Sequence, residues 1–389
     1  MSTAHATGAP GTQAGPDGRG AQAATAQGHR PSGLLGRLSA IPGILRAWPA
    51  KNGRVAFECR DQEGRLRAGV LDPRLDEPDL LPYASDPALP GLSPDLSGRL
   101  VVHRAGRRAV VLGADRVSKL TRPGRARPSP SSLEAFEAFA QMGLRVPRIL
   151  RADEDRIDLE LVPGRSLGEL GDAGVPGWQR LVQVWSRLRP PGTSLPLHSP
   201  AHEARVLHDW YERATGSGLL EEATADPRAV PALGRAVEAA CAELEAGAAA
   251  DGAGPALTLC HRDLHDGQLL WDGQDLSLID LDTPALAEAA LDLGNLMAHA
   301  ELMALQGRLS PQGHDRVQGL LEDLAAASPT TGARLEAYRR GAQLRLIFVH
   351  AFRPGAKAWL PRWTSRCLAV PSSIHHTIDD TTDGSTSCV

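Results

Sequence analysis

The stretch from Leu257 to Asp280 constrains this 389-residue chain more than any other. Leu257–Cys260 is apolar and leads into the polar run His261-Arg262-Asp263-Leu264-His265-Asp266-Gly267-Gln268. Leu269-Leu270-Trp271 is apolar again, Asp272-Gly273-Gln274-Asp275 is turn-like, and Leu276–Ile279 returns to end at Asp280. Short apolar runs bounded by turn residues read as buried strands. Strand, loop, strand, turn and strand bring Asp263, Gln268 and Asp280 to one end of a small hairpin. A solvated loop with ordinary surface acids would not need apolar segments on both sides.

The intervals of five and twelve residues separating Asp263, Gln268 and Asp280 carry a definite chemistry. In sites that transfer the γ-phosphoryl group of ATP, one Asp takes the proton of the attacking hydroxyl. An amide five residues later and an acid at the next strand end hold the metal ions that neutralise the triphosphate. Here the amide is Gln where Asn is usual. Gln carries its carbonyl one methylene further out, roughly 1.5 Å in chain reach, so the loop shifts to compensate or one metal is held through water.

Around this stretch the chain divides in two. Residues 1–40 are expected to form a disordered tail, because the Ala/Gly/Gln/Thr-rich start has too few large apolar side chains to offset its ordering; Leu34 to Trp48 reads as a short helical patch ahead of the globular part. Residues 41–165 read as a small lobe of strands with one helix. Arg54–Arg60 with Arg65–Val70, and Leu100–Arg104 with Arg108–Leu112, are hairpins, Arg116–Leu120 is a strand, Ser131–Met142 a helix, and Ile157–Val162 a strand. Residues 166–363 are mainly helical, with helices expected at Trp178–Arg189, Ala201–Thr215, Pro231–Ala246, Leu286–Leu305, Gly313–Ala326 and Gly332–Ala351. Residues 364–389, with His375-His376, read as a flexible tail. The fold class is therefore α+β.

Net charge is −4, which leaves no electrostatic footprint for a nucleic acid. No apolar run is long enough to span a bilayer and the N-terminus is not built as a signal peptide, so no membrane association and a cytoplasmic location are expected. Five scattered cysteines without a CxxC pair argue against a disulfide framework or structural zinc. Only three of the 42 basic residues are lysines, Lys51, Lys119 and Lys357. In such an Arg-rich composition a retained Lys points to a place that needs a compact ammonium, which singles out Lys119.

With these residues in hand, the chain resembles the aminoglycoside phosphotransferase and choline kinase superfamily. His265 two residues after Asp263, and Leu291-Asp292-Leu293 on a later helix, are typical of that family. Asp280 is followed by Leu281-Asp282-Thr283 and no Ala-Pro-Glu segment exists, unlike protein kinases. The resemblance spans roughly residues 98 to 355 and implies a bilobal protein kinase-like fold with ATP and Mg²⁺ as cofactors. Asp263 would be the base, Asp280 and Gln268 the metal ligands, and Lys119 the phosphate-binding lysine. Its partner would be Glu134, with Glu137 as the alternative. Glu160-Leu161-Val162-Pro163 resembles the hinge that binds adenine through its backbone, which brings in Glu160 and Val162. His261 and Asp292 would brace the loop, His265 would serve the loop or the substrate, and Asp266 and Asp282 would be helper or surface acids.

The expected activity is phosphorylation of a hydroxyl on an aminoglycoside, amino sugar, sugar or similar alcohol, with the oligomeric state open. Three other readings compete. A nucleotide-binding pseudokinase-like regulator follows from Gln268. A metal-dependent hydrolase follows from His261, Asp263, His265 and Asp266 as ligands, but leaves Lys119 without a role. A protein kinase lacks its Ala-Pro-Glu segment.

Overall fold

The computed structural model describes residues 33–185, 195–246 and 256–369. Part of each stretch expected as a tail is helical. Leu34–Ser39 form helix α1 with Leu34, Leu35 and Leu38 buried, and the chain is still helical at Leu360–Leu368, where Trp363 and Cys367 are buried. Burial of these side chains offsets the ordering of such short segments. The residues before 33, those beyond 369 with His375 and His376, and the end of the helix expected to reach Arg189 lie outside the described residues.

The stretch expected as one N-terminal lobe is built from two antiparallel sheets. The first contains β1 (Ile44–Pro49), β2 (Val55–Arg60), β3 (Leu66–Leu71) and the short β4 (Asp79–Leu80), in that order. The second contains β5 (Arg99–Arg104), β6 (Arg108–Leu112), β7 (Arg116–Thr121), β8 (Ile149–Ala152) and β9 (Arg156–Glu160), ordered β5-β6-β7-β9-β8. Helix α2 (Pro130–Gln141) connects β7 to β8, capped by Ser129, whose hydroxyl accepts from the Ser132 N–H. Lys119 pairs with Val110 on one side and Ile157 on the other, so its backbone is fixed mid-sheet.

The remainder is largely helical. After β10 (Arg165–Ser166) come α3 (Leu167–Leu170), α4 (Val175–Trp185), α5 (Pro200–Gly216), α6 (Leu219–Thr224) and α7 (Ala229–Ala246). Then follow β11 (Leu257–Cys260), β12 (Leu269–Trp271), β13 (Leu276–Leu278) and β14 (Ala285–Glu288). Helices α8 (Ala290–Leu305), α9 (Pro311–Ala326), α10 (Gly332–Ala351) and α11 (Leu360–Leu368) complete the described chain. The architecture is the expected α+β plan, β-rich first and helical later. One expected helix begins late: Ala285–Glu288 is a strand paired with β11 rather than the start of α8. Without that partner the buried backbone of β11 would lack its hydrogen bonds.

The core explains how the two halves are joined. Leu38, Ala47, Val55 and Phe57 share one apolar cluster with Phe348, Phe352 and Trp363, so the first sheet packs on the C-terminal helices. It also reaches the second sheet: Arg46 Nη2 donates to the Val101 carbonyl at 3.3 Å, and the His103 N–H donates to buried Glu58. A second cluster holds α2, α4, the β12–β13 hairpin, α8 and α9 together. Among the described residues no helix is long and apolar enough to cross a membrane.

Candidate active site

Helix α8 holds the polar loop from below. Buried Asp292 accepts from the backbone N–H groups of His261 at 2.7 Å and Arg262 at 2.9 Å. Its burial keeps the carboxyl above its ordinary pKa. One turn on, Asn295 Nδ2 donates to the Leu264 carbonyl at 2.7 Å, and its oxygen accepts from Arg345 at 2.8 Å. His261 is buried; its Nε2–H donates to the Ile279 carbonyl at 2.9 Å while Nδ1 accepts from the Asp263 N–H at 3.3 Å. His261 therefore ties the loop to the returning strand. Both ring nitrogens are engaged, so it is no metal ligand. With its backbone fixed in this way, Asp263 is exposed and its carboxylate makes no hydrogen bond to another described residue.

At the open end of the β12–β13 hairpin, Lys119, Gln268, Asp280 and Asp282 meet. Lys119 Nζ, reaching down from β7, lies 2.5 Å from Asp280 Oδ1 and 2.7 Å from Asp282 Oδ1. Burial disfavours both charges, yet the pairing wins. Asp280 and Asp282 hold the Lys119 pKa above its ordinary value, and Lys119 holds Asp280 below the usual carboxylate range. Asp280 sits at φ 64°, a left-handed conformation that Asp tolerates better than most residues. The Gln268 amide lies 3.4 Å from Asp280 Oδ2 and 3.3 Å from His265 Nε2. The longer Gln side chain thus still reaches the acid. An amide and a carboxylate side by side are hard oxygen donors of the kind Mg²⁺ prefers, so the residues present fit that ion.

The nucleotide-side candidates are more dispersed. Glu134 is half-buried on α2 whereas Glu137 is exposed. The ion-pair partners of Lys119 here are Asp280 and Asp282. The Glu160 carboxylate is taken up by Arg145 at 3.0 Å and Arg148 at 2.9 Å, and these arginines hold its pKa down. Its backbone N–H is taken as well, donating to the Arg148 carbonyl at 2.8 Å. Leu161 N–H is used by the Asp115 carbonyl, while the N–H of buried Val162 bonds to no other described residue.

Asp266 is no surface acid. Its carboxylate is buried; Oδ1 accepts from His299 Nδ1–H at 3.1 Å and Oδ2 from Arg308 Nη1 at 3.0 Å. Burial opposes its charge, but the His265 and His299 rings and Arg308 hold its pKa far below the ordinary range. A cleft of about 710 Å³ opens beside it, lined by Ser166, Glu169, Asp172, Asp266, Arg308 and Ser310 among others. Ligand atoms of His265, Asp266 and His299 lie within 4.8 Å of one another. They do not suit a shared metal ion: the two rings stack nearly parallel, 4.6 Å apart at 11°, and Arg308 already neutralises the acid. Burial keeps the His299 pKa low.

Sequence reasoning missed Asn295, His299 and Arg308, and it undervalued Asp282. Asn295 and His299 follow Asp292 at helical spacing on α8, a signal available once Asp292 is placed. Asp282 follows Asp280 by two residues, but nothing local reveals that both face Lys119.

The model of the phosphotransferase enzyme family matches residues 97–330. Among solved structures, an aminoglycoside phosphotransferase from Streptomyces rimosus is 19% identical with a TM-score of 0.41, over 64% of this chain and 92% of its own. Glucosamine kinase in complex with glucosamine, ADP and inorganic phosphate is 16% identical with a TM-score of 0.41, over 85% of this chain and 93% of its own. A choline kinase from Cryptosporidium parvum is 11% identical with a TM-score of 0.46, over 71% and 87%. No curated protein matches the chain.

Proposed function

The chain belongs to the phosphotransferase enzyme family, and on that premise we propose that it transfers the γ-phosphoryl group of ATP to a hydroxyl of a small polar molecule. The acceptor class is an aminoglycoside, amino sugar, sugar or similar alcohol. The observation that carries this reading is the meeting of Lys119 with Asp280 and Asp282, sequence neighbours of none of its own strand partners. A lysine from the β-rich half beside an acid of the catalytic hairpin is the arrangement a metal–triphosphate needs.

In the proposed reaction Asp263 accepts the hydroxyl proton as the acceptor oxygen attacks the γ-phosphorus, and the bond to ADP breaks. The exposure of its carboxylate suits a base that must meet a substrate. Lys119 exchanges its two carboxylates for the nucleotide phosphates, with half-buried Glu134 as its brace. The carbonyl of Glu160 and the N–H of Val162 receive the adenine. Asp280 and Gln268 would hold Mg²⁺, which supplies charge neutralisation of the triphosphate. The cleft beside Asp266 receives the acceptor.

The test is a γ-phosphate transfer screen against aminoglycosides, amino sugars, sugars and amino alcohols. Transfer to at least one hydroxyl acceptor, abolished in Asp263→Ala, is the expected result. Nucleotide binding with no transfer to any of them would favour the pseudokinase-like regulator instead.

A further inference from the structure

His265 bears on which end of the Gln268 amide faces the acid. Its Nδ1 accepts the Gly267 N–H at 2.9 Å, so that nitrogen carries no proton. A proton on Nδ1 would collide with the Gly267 N–H. The ring that fits is the neutral one with its hydrogen on Nε2, and that hydrogen needs an acceptor.

The ring has little freedom to turn away. A Cβ on Gly267 would fall 2.7 Å from His265 Cε1, so the loop is shaped around the imidazole. His299 covers its face at 4.6 Å. The group opposite Nε2 is the Gln268 amide at 3.3 Å, the same atom that lies 3.4 Å from Asp280 Oδ2. The two ends of an amide are nearly isosteric, and the hydrogen-bond network decides between them. With nitrogen there, Gln268 donates to Asp280 Oδ2 but faces a ring nitrogen that already bears a proton. With oxygen there, the Nε2–H is satisfied.

We infer that His265 is a positioning residue that turns the carbonyl oxygen of Gln268 toward Asp280. Two oxygens side by side with no proton between them need a nearby cation; without nucleotide Lys119 supplies that charge at Asp280 Oδ1, and a divalent ion would supply it once Lys119 turns to the phosphates. The pair is therefore preset as a hard-ligand site, and the imidazole supplies what a longer, more mobile amide lacks. This rests on the reading of Asp280 and Gln268 as the Mg²⁺ ligands. Groups that orient ligands in this way change metal affinity by about 10–100-fold when removed.

The experiment measures Mn²⁺ affinity of the full chain by electron paramagnetic resonance with a saturating non-hydrolysable ATP analogue, and thermal unfolding as a check on the fold. His265→Asn keeps an acceptor for the Gly267 N–H but loses the Nε2 donor; it should weaken Mn²⁺ binding about tenfold or more. His265→Gln keeps a donor at the Nε2 position and should retain most of the affinity. A carboxylate has no wrong end, so in a Gln268→Glu background His265→Asn should cost much less. An equal loss in both backgrounds, or failure of His265→Gln to rescue, would overturn the inference and leave His265 a loop brace. A wild-type protein that takes no Mn²⁺ with nucleotide would overturn the metal reading as well.

Discussion

Asp263 and Lys119 ask for different consequences when replaced, because one stands free and the other is paired. Asp263 has no structural hydrogen bond through its carboxylate to another described residue, so Asp263→Asn should leave thermal stability nearly unchanged. It should lower kcat by about 10²–10⁴-fold, the range for removing a general base, with KM for ATP moved far less. A loss confined to KM would contradict the assignment. Lys119 is held by two carboxylates; Lys119→Met should therefore weaken nucleotide binding and leave Asp280 and Asp282 repelling each other. Titration calorimetry with ADP reads the first effect. At this scale the sequence was most informative where spacing is local: Gln268 and Asp280 flank one hairpin and meet at 3.4 Å, with Asp263 on the loop that enters it. It was least informative where a partner comes from another sheet, as for Asp282, whose contact with Lys119 spans 163 positions.

Helix α8 is the element on which the loop depends. Asp292, Asn295 and His299 rise from it at helical spacing and engage His261, Arg262, Leu264 and Asp266. Asp292→Ala would strand two backbone N–H groups beneath the loop, each costing about 1–3 kcal/mol when unsatisfied. Denaturant unfolding should show that loss, and kcat should fall with it. Asp266 gives a pH signature. Its folded pKa is depressed, so its contribution is complete above the unfolded value near about 3.9 and is lost as pH falls toward the folded one. The stability gap between wild type and Asp266→Asn should be widest near neutral pH and close as acid is added below about pH 4. A gap that widens in acid would reverse the assignment. Most elements here were legible from apolar periodicity, including α10 to its boundaries. Strand β14 was not, because its alanine-rich sequence looks helical and only its pairing with β11 makes it extended.

At the scale of the molecule, the division into halves is less sharp than the sequence implies. The first sheet follows the β pattern of the N-terminal half, yet Ala47, Val55 and Phe57 bury against Phe348, Phe352 and Trp363. No local pattern foretells this, since an apolar strand face does not name the surface it will meet. The consequence is mechanical. Helix α1 and β1 to β3 bridge the C-terminal helices and the second sheet, so the two sides of the proposed nucleotide site share one framework. Leu38, fully buried in that shared cluster, is the place to test it. Leu38→Ala should cost about 2–5 kcal/mol, as for other large-to-small core changes. Because the cluster includes α10, against which α8 packs, the loss should lower the main calorimetric transition rather than create an earlier one of small enthalpy. Nucleotide should still raise the melting temperature of the variant, since Leu38 touches none of the proposed ligand groups. A separate early transition confined to the first sheet would show instead that residues 34–71 fold as an appendage, and the coupling argued here would fail.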